Sequence, residues 1–294
     1  MRFINNKAMN TRRQFLKLTG TGILAAGVSS VYGAPVPVVG KKKKKVEVSL
    51  GQHAFSIGMA GFTFARFDVD KTIEMMKRIG VANLSLKDFH LPLNSTQEKI
   101  SEVLAKFKTA GINVYTLGVI YMKTPESVNQ AFSYAKMAGV NMIVGAPNYE
   151  LLAQVEQEVK ETGIRIAIHN HGPDNPLYPN ATDIWEHVKA MDPGLGICID
   201  IGHTTRDGQD PSVDIERYME RIFDVHIKDV DKPSKEGKTI EMGRGIIDIP
   251  KVVSTLRKIN YKGKCSLEFE KDMNDPLAGI AESIGYFKGV MACR

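Results

Sequence analysis

Cysteine is scarce in this chain of 294 residues, which contains only Cys198, Cys265 and Cys293. No two of them form a CxxC pair or stand at a spacing typical of a zinc site or a disulfide framework. The first two lie in apolar, β-rich runs, so we expect them to be small core residues, and Cys293 lies beside the C-terminus. The sequence therefore argues against the class of small disulfide-rich proteins.

Long hydrophobic runs are also lacking, because no segment is apolar over the length that a membrane-spanning helix requires. The nearest candidate, residues 18–31, is rich in small and hydroxyl residues and follows the twin arginines Arg12 and Arg13. Together with the small residues Gly33 and Ala34, this pattern predicts a Tat-type export signal over residues 1–33. We expect an exported, periplasmic protein without stable membrane insertion after signal removal. The alternative is a basic N-terminus that is never processed.

Excess positive charge is confined to the N-terminal segment. Residues 34–50 contain a run of five lysines and no amphipathic period, which favours a solvated basic linker over a tether to an anionic surface. Residues 1–45 hold ten of the 39 basic side chains and none of the 33 acidic ones, so the remainder has 29 against 33, a net charge of −4. The body of the protein therefore gives no electrostatic reason to expect nucleic-acid binding.

The rest of the chain alternates between β-rich runs and amphipathic helical segments. Eight runs begin near Phe55, Val81, Ile112, Val140, Ile164, Leu195, Phe223 and Gly263. Four helical segments end in a glycine that directly precedes the next run, as is typical of repeated βαβ units: Gly80, Gly111, Gly139 and Gly163. Eight units in about 240 residues predict a single α/β domain, a (β/α)8 TIM barrel over residues 51–294. A doubly wound sheet is the less favoured alternative, because it more often has five or six strands.

Two helix starts are marked by residue chemistry. Ser95 and Glu98 have the spacing of a capping box, in which each side chain bonds to the backbone N–H of the other residue. Pro125 is typical of the first position of a helix, where its missing N–H costs nothing. We therefore expect helices to begin at these two places.

Polar side chains cluster at the ends of the β-rich runs, where the loops of such a barrel build the active site. They are Lys87, Asp88, His90, His169, Asn170, His171, Asp200, His203, His226, Lys228, Glu268 and Glu270. Each alone has an ordinary explanation as a cap, a core hydrogen-bonding group or a salt-bridge partner such as Lys228 with Asp229. Together they bring several carboxylates to one barrel mouth, and a divalent cation is the simplest compensation for that charge.

Four motifs resemble the xylose isomerase-like TIM barrels, the sugar phosphate isomerase/epimerase superfamily. They are D-I-G-H at residues 200–203, H-I-K-D at 226–229, G-R-G-I-I-D at 243–248 and L-E-F-E at 267–270. The resemblance covers residues 51–292 and implies one divalent metal ion held by Asp200, His226, Glu268 and a residue on the fifth strand. Mixed carboxylate and imidazole ligands fit manganese, magnesium, cobalt and zinc, so the metal stays open.

The fifth strand departs from the pattern of the family. Where relatives commonly read E-N-H, this chain reads His169, Asn170 and His171. His169 is then the expected fourth metal ligand, but the acid/base pair of an epimerase is changed. A histidine at this place also resembles the inosose dehydratase branch, in which water is removed next to a ketone. The scaffold alone does not decide between the two chemistries.

The resemblance implies a metal-dependent isomerase or epimerase that acts on an unphosphorylated sugar or keto-sugar through an enediolate. The alternatives are a lyase or hydratase acting on a keto-sugar or 3-keto-glycoside, and a catalytically inactive sugar-binding barrel. The expected partner is a small-molecule sugar, and a homo-oligomer stays open. The candidate catalytic residues are Glu268, His169, Lys87, His171, His203 and Lys228.

These candidates have different expected roles. Glu268 is the expected base, and Lys87 or Lys228 would hold or protonate a substrate oxygen. His171 or His203 would shuttle a proton. For Glu270 we favour the role of orienting a metal-bound histidine.

Overall fold

The computed structural model describes residues 54–293, which contain a closed barrel of eight parallel strands. The predicted (β/α)8 TIM barrel is confirmed, and each barrel strand begins within two residues of its predicted start. The predicted export signal and linker lie outside the described residues. The barrel strands are β1 (Ser56–Ala60), β2 (Asn83–Leu86), β3 (Asn113–Met122), β4 (Met142–Pro147), β5 (Arg165–His169), β6 (Leu195–Asp200), β7 (Ile222–Ile227) and, closing the barrel, β10 (Lys264–Leu267).

The strands follow one another around the barrel in chain order, and β10 pairs with both β7 and β1. Two short strands, β8 (Asp229–Val230) and β9 (Thr239–Ile240), form an antiparallel pair in the segment between β7 and β10. Because all barrel strands are parallel, their carboxyl ends meet at one mouth. That mouth is where the sequence places the polar side chains.

Helices connect the strands and pack against the barrel. In the described residues they span Val69–Ile79, Gln97–Thr109, Pro125–Ala138, Leu152–Thr162, Ala181–Val188, Ile201–Arg206, Pro211–Arg217, Ile249–Lys258 and Leu277–Ala292. Short 3-10 turns lie at Gly61–Phe64, Tyr149–Leu151, Gly172–Asp174 and Met219–Arg221. The predicted glycine ends are confirmed by positive φ angles at Gly80, Gly111, Gly139 and Gly163. The predicted helix start at Pro125 is confirmed as well.

The hydrophobic core fills the space between strands and helices. Every residue of β4 and of β6 is buried, as expected for strands covered on both faces. Cys198 and Cys265 lie in this core and Cys293 is exposed, as predicted. Among residues 54–293, no helix has the length and apolar character needed to cross a membrane.

The helix Gln97–Thr109 begins differently from the prediction. Its N-cap is Thr96, whose Oγ1 accepts a hydrogen bond from the backbone N–H of Lys99 at 3.3 Å. The predicted capping box of Ser95 and Glu98 is wrong, because Ser95 still belongs to the preceding turn and its N–H donates to the carbonyl of Pro92. Serine and threonine are both favoured as N-caps, so residue type did not distinguish Ser95 from Thr96.

Replacing Thr96 by alanine is expected to lower the free energy of unfolding by about 1 kcal/mol, because the Lys99 N–H loses its acceptor. Ser95→Ala is the matched control and should change the same quantity by less than about 0.5 kcal/mol. Urea denaturation of both variants measures the difference. Equal losses would contradict the assignment of Thr96 as the cap.

Candidate metal centre

Four side chains meet at the carboxyl ends of neighbouring strands. His169 ends β5, Asp200 ends β6, His226 lies one residue before the end of β7, and Glu268 directly follows β10. The strands pair so that Asp200 lies opposite His226. One donor atom from each of the four side chains lies within 4.8 Å of the others. The structure therefore brings together the four residues predicted as ligands, and metal binding itself stays a prediction.

The four side chains are buried and in close contact. Nε2 of His169 lies 3.1 Å from Nδ1 of His226 and 3.7 Å from Oδ2 of Asp200. Nδ1 of His226 lies 3.6 Å from Oε2 of Glu268. Oδ2 of Asp200 accepts no hydrogen bond from the described part of the chain and has the Lys228 ammonium as an ion-pair partner at 3.2 Å, so this buried oxygen lies where a cation is stabilised. Two imidazoles and two carboxylates around such an atom fit a divalent ion.

Cys198 lies beside the same cluster, because one donor atom each from His169, Cys198 and His226 also lies within 4.8 Å of the others. Burial raises the pKa of the Cys198 thiol to about 12, so it stays protonated at neutral pH. A thiol must lose its proton to bind a metal. The carboxylate-containing set is therefore the better candidate.

Asp200 is fixed by its own strand end and the next helix. Its Oδ1 accepts a hydrogen bond from the backbone N–H of His203 at 2.8 Å, which makes Asp200 the N-cap of the helix Ile201–Arg206. Its backbone N–H donates to Oδ1 of Asn170 at 2.8 Å, and Nδ2 of Asn170 donates to Thr204 at 3.2 Å. These bonds leave Oδ2 of Asp200 facing the cluster. Asn170 thus supports the site without lining it.

Lys228 is buried in the same cluster, with only 1 % of its side chain exposed. Its Nζ lies 2.9 Å from Oε2 of Glu268 and 3.2 Å from Oδ2 of Asp200. A third carboxylate, that of Glu270, lies 3.3 Å away. Burial opposes the charge of Lys228, but Asp200, Glu268 and Glu270 outweigh it and hold the pKa of the ammonium well above its usual range. A Cβ at Gly202 would lie 2.2 Å from Cγ of Lys228, which accounts for the glycine in D-I-G-H.

The comparisons with known proteins identify the family to which this barrel belongs. The family model of the xylose isomerase-like TIM barrel matches residues 62–290. The chain belongs to this family.

Its relatives include proteins with different activities. The inosose dehydratase of Bacillus anthracis is 23% identical over 226 residues, which cover 68% of this chain and 74% of that protein. The rhizopine catabolism protein MocC of Rhizobium meliloti is 26% identical over 138 residues, and this match spans 42% of each chain. The solved structure of L-ribulose 3-epimerase superposes with a TM-score of 0.64 at 16% identity, covering 81% of this chain and 94% of that one. That last likeness shows the fold alone.

In this xylose isomerase-like barrel the pKa values of the carboxylates at the mouth shift in different directions. Burial raises the pKa of Glu268, but Lys228 and then His226 outweigh it and hold the pKa well below its usual range. Burial is likewise outweighed at Asp200, mainly by Lys228, so that the pKa of Asp200 is lowered. For Glu270 burial dominates, and its pKa is raised. The lowered pKa values keep Glu268 and Asp200 ionised, as metal ligands must be, whereas the raised pKa makes Glu270 the most basic of the three carboxylates.

Uncharged histidines occupy another part of the mouth. Burial lowers the pKa of His171 to about 3, and the neighbouring His169 adds to the effect. Burial also lowers the pKa of His203 to about 3. Nε2 of His171 lies 2.9 Å from the hydroxyl of Tyr121, whose own pKa is raised by burial, so a neutral imidazole and a protonated phenol share this hydrogen bond. Both histidines are neutral at physiological pH and are weak bases.

A pocket of about 260 Å³ lies at the mouth. It is lined by Lys87, Phe89 and Tyr121, by His169, His171 and His203, and by Glu268 and Glu270. Nζ of Lys87 donates to the carbonyl of Val119 at 2.6 Å and lies 2.9 Å from Oδ1 of Asp88. Since an ammonium has three N–H donors, one remains for a molecule in the pocket. Five of the six candidate catalytic residues line this pocket. The sixth, Lys228, does not line it but contacts Glu268, which does.

Two expectations for single residues are corrected by the structure. His90 does not line the pocket, because its Nε2 lies 3.2 Å from the carbonyl of Phe64 and 3.3 Å from Oγ1 of Thr72. Glu270 contacts Lys228 and accepts a hydrogen bond from Oγ1 of Thr239 at 3.3 Å, rather than orienting a histidine. The chain beyond β10 is no longer a regular strand, so the direction of Glu270 could not be read from strand alternation.

Asp229, the last residue of H-I-K-D, has a structural role that the sequence did not reveal. Its carboxylate accepts hydrogen bonds from the backbone N–H groups of Gly243 at 2.9 Å, Gly245 at 3.1 Å and Ile247 at 3.1 Å. A Cβ at Gly245 would lie 2.2 Å from Oδ1 of Asp229. The G-R-G-I-I-D motif is therefore wrapped around this carboxylate. The alternative of a salt bridge between Lys228 and Asp229 is not seen, because Lys228 faces the cluster.

Proposed function

We propose that this protein is a divalent-metal-dependent lyase that eliminates water or an alcohol from an unphosphorylated keto-sugar or 3-keto-glycoside. The observation that carries the proposal is the asymmetry of the pocket. Among the carboxylates that line it, Glu270 has a raised pKa, Glu268 belongs to the four-residue cluster and has a lowered pKa, and Asp88 is paired with Lys87. The lining also contains the neutral histidines His171 and His203. Elimination requires one base and one acid, but epimerisation by two bases requires a base on each face of the substrate. The similarity to inosose dehydratases supports the same choice.

The metal would be held by His169, Asp200, His226 and Glu268, whose donor atoms lie close together and whose carboxylates are ionised. A bound divalent ion would supply Lewis-acid polarisation of the substrate carbonyl. Glu268 is then mainly a ligand, because its lowered pKa makes it a poor base. This assignment moves the role of base from Glu268 to its neighbour Glu270.

Glu270 would take the proton from the carbon beside the carbonyl. Its side chain is 31% exposed and lines the pocket, so a substrate can reach it. The electrons of the broken C–H bond form a carbon–carbon double bond as the C–O bond at the next carbon breaks. The leaving oxygen would receive its proton from Lys87, which lines the pocket and has three N–H donors, one of them used by the carbonyl of Val119. His171 and His203 would bind substrate hydroxyls as neutral hydrogen-bonding groups.

Isomerisation or epimerisation is the second candidate. It is favoured by the Lys87 ammonium, which lines the same pocket as Glu270 and would return a proton to a carbanion or its oxygen. A shift of one proton between adjacent carbons needs a single carboxylate and its neighbouring acid. Export through the predicted Tat-type signal is part of both proposals, since it favours an unphosphorylated substrate.

Incubation of the manganese-loaded protein with a 3-keto-glucoside in deuterium oxide is expected to release the aglycone and give a product with enone absorption. Elimination joins the carbonyl to a new double bond, which absorbs in the ultraviolet. Protein treated with a chelator is the control and should be inactive until manganese is restored. Deuterium at the α-carbon without an enone and without loss of oxygen would instead establish isomerisation or epimerisation.

A further inference from the structure

The Lys228 ammonium lies among the donor atoms of the candidate metal centre. Its Nζ is 3.2 Å from Oδ2 of Asp200 and 2.9 Å from Oε2 of Glu268, the two carboxylates that would hold the ion. A divalent ion bound by both oxygens would therefore stand within a few ångströms of a full positive charge. Two such charges repel strongly in a buried site.

The stem of Lys228 has little freedom to avoid this contact by a large movement. It passes over Gly202 so closely that a Cβ there would lie 2.2 Å from its Cγ and 2.5 Å from its Cδ. The side chain is 1 % exposed. The terminal ammonium can therefore move only by a small shift.

Glu270 provides a place for the ammonium after such a shift. Its Oε2 lies 3.3 Å from Nζ of Lys228, on a side chain that is 31% exposed and is outside the ligand set. The charges also balance, because three carboxylates are neutralised by one ammonium and one divalent ion. With the metal on Asp200 and Glu268, Lys228 and Glu270 are left as a neutral pair.

We propose that Lys228 is a positioning residue that acts as the resident counter-cation of the metal centre: it holds Asp200 and Glu268 together before the metal binds and withdraws to Glu270 when the metal enters. The inference rests on the proposed function in that it takes the four-residue cluster to be a metal site. It follows that the ammonium competes with the metal for the two carboxylates, so the protein binds the metal less tightly than the same site without this charge would.

Replacing Lys228 by methionine tests this inference, because methionine keeps an unbranched side chain and removes the charge. Isothermal titration calorimetry with Mn²⁺ alone is expected to give a dissociation constant at least about tenfold lower than that of the natural protein. A residue that only supported the ligands would produce the opposite change. If Lys228→Met is soluble only with metal, the rate of Mn²⁺ release to a chelator replaces the titration and should fall at least about tenfold.

Glu270→Gln completes a double-mutant cycle. In the natural background it is expected to raise the Mn²⁺ dissociation constant about tenfold, because the displaced ammonium loses its partner. In the Lys228→Met background the same change should shift the constant by less than about threefold, because no ammonium needs that partner. Equal effects in the two backgrounds, or weaker metal binding by Lys228→Met, would overturn this inference alone. Absence of Mn²⁺ binding by every variant and by the natural protein would overturn the proposed metal-dependent function with it.

Discussion

Replacing Asp200 by asparagine is expected to weaken divalent-metal binding by at least about 100-fold, because changes to groups that merely support metal ligands already cost 10- to 100-fold. Asparagine keeps an oxygen for the hydrogen bond from the backbone N–H of His203, so the N-cap of the helix Ile201–Arg206 can persist. It replaces the ionised Oδ2 that accepts no hydrogen bond in the described chain. Calorimetric titration with Mn²⁺ measures the loss, and circular dichroism checks the fold.

Asp88→Asn is the matched control for this experiment. Asp88 also lines the pocket as a carboxylate, but it pairs with Lys87 at 2.9 Å and does not belong to the four-residue cluster. Its loss should change the Mn²⁺ dissociation constant by less than about threefold, as expected for a partly exposed ion pair. If both variants lost affinity equally, the ion would be held by the general negative charge of the mouth and not by the cluster.

Replacing Glu270 by glutamine is expected to lower kcat by about 10³-fold at saturating Mn²⁺, which is the usual contribution of a general base. Glutamine fills the same space and keeps an acceptor for Thr239, but it cannot take a proton. The saturating metal separates this loss from the effect of the substitution on metal affinity. Steady-state kinetics on the 3-keto-glucoside measures it.

Glu241→Gln supplies the comparison for Glu270. Glu241 is a carboxylate paired with Lys271 at 2.8 Å and does not line the pocket, so its loss should leave kcat within about twofold. Glu268→Gln should act mainly by weakening metal binding. If instead Glu268→Gln lowered kcat by orders of magnitude at full metal occupancy while Glu270→Gln did not, Glu268 would be the base, as the sequence had indicated.

The barrel was predictable because its signals repeat. Each β-rich run is bounded by turn residues, and glycines such as Gly80 and Gly139 mark helix ends that require a left-handed backbone. The exact N-cap residue of a helix was harder to predict. Ser95 and Thr96 are both good caps by type, and only the turn from Pro92 to Ser95 decides between them.

The meeting of His169, Asp200, His226 and Glu268 was predictable from motif and strand position, but the chemistry of the neighbouring side chains was not. Glu268 and Glu270 are the same residue type, two positions apart, and their pKa values shift in opposite directions. The difference depends on how closely Lys228 and His226 approach each carboxylate. Such distances between side chains from different strands are set by packing and have no signature in the sequence.

Asp229 fixes the position of the segment that follows β7 through three hydrogen bonds. It fastens the amides of residues 243, 245 and 247 to the end of β7, and the pairing of β8 with β9 closes the base of the intervening segment. Residues 231–238 can therefore gain or lose length without displacing His226 or Lys228, since loops tolerate insertion where their ends are held. Changes of length in that segment therefore leave the four-residue cluster in place.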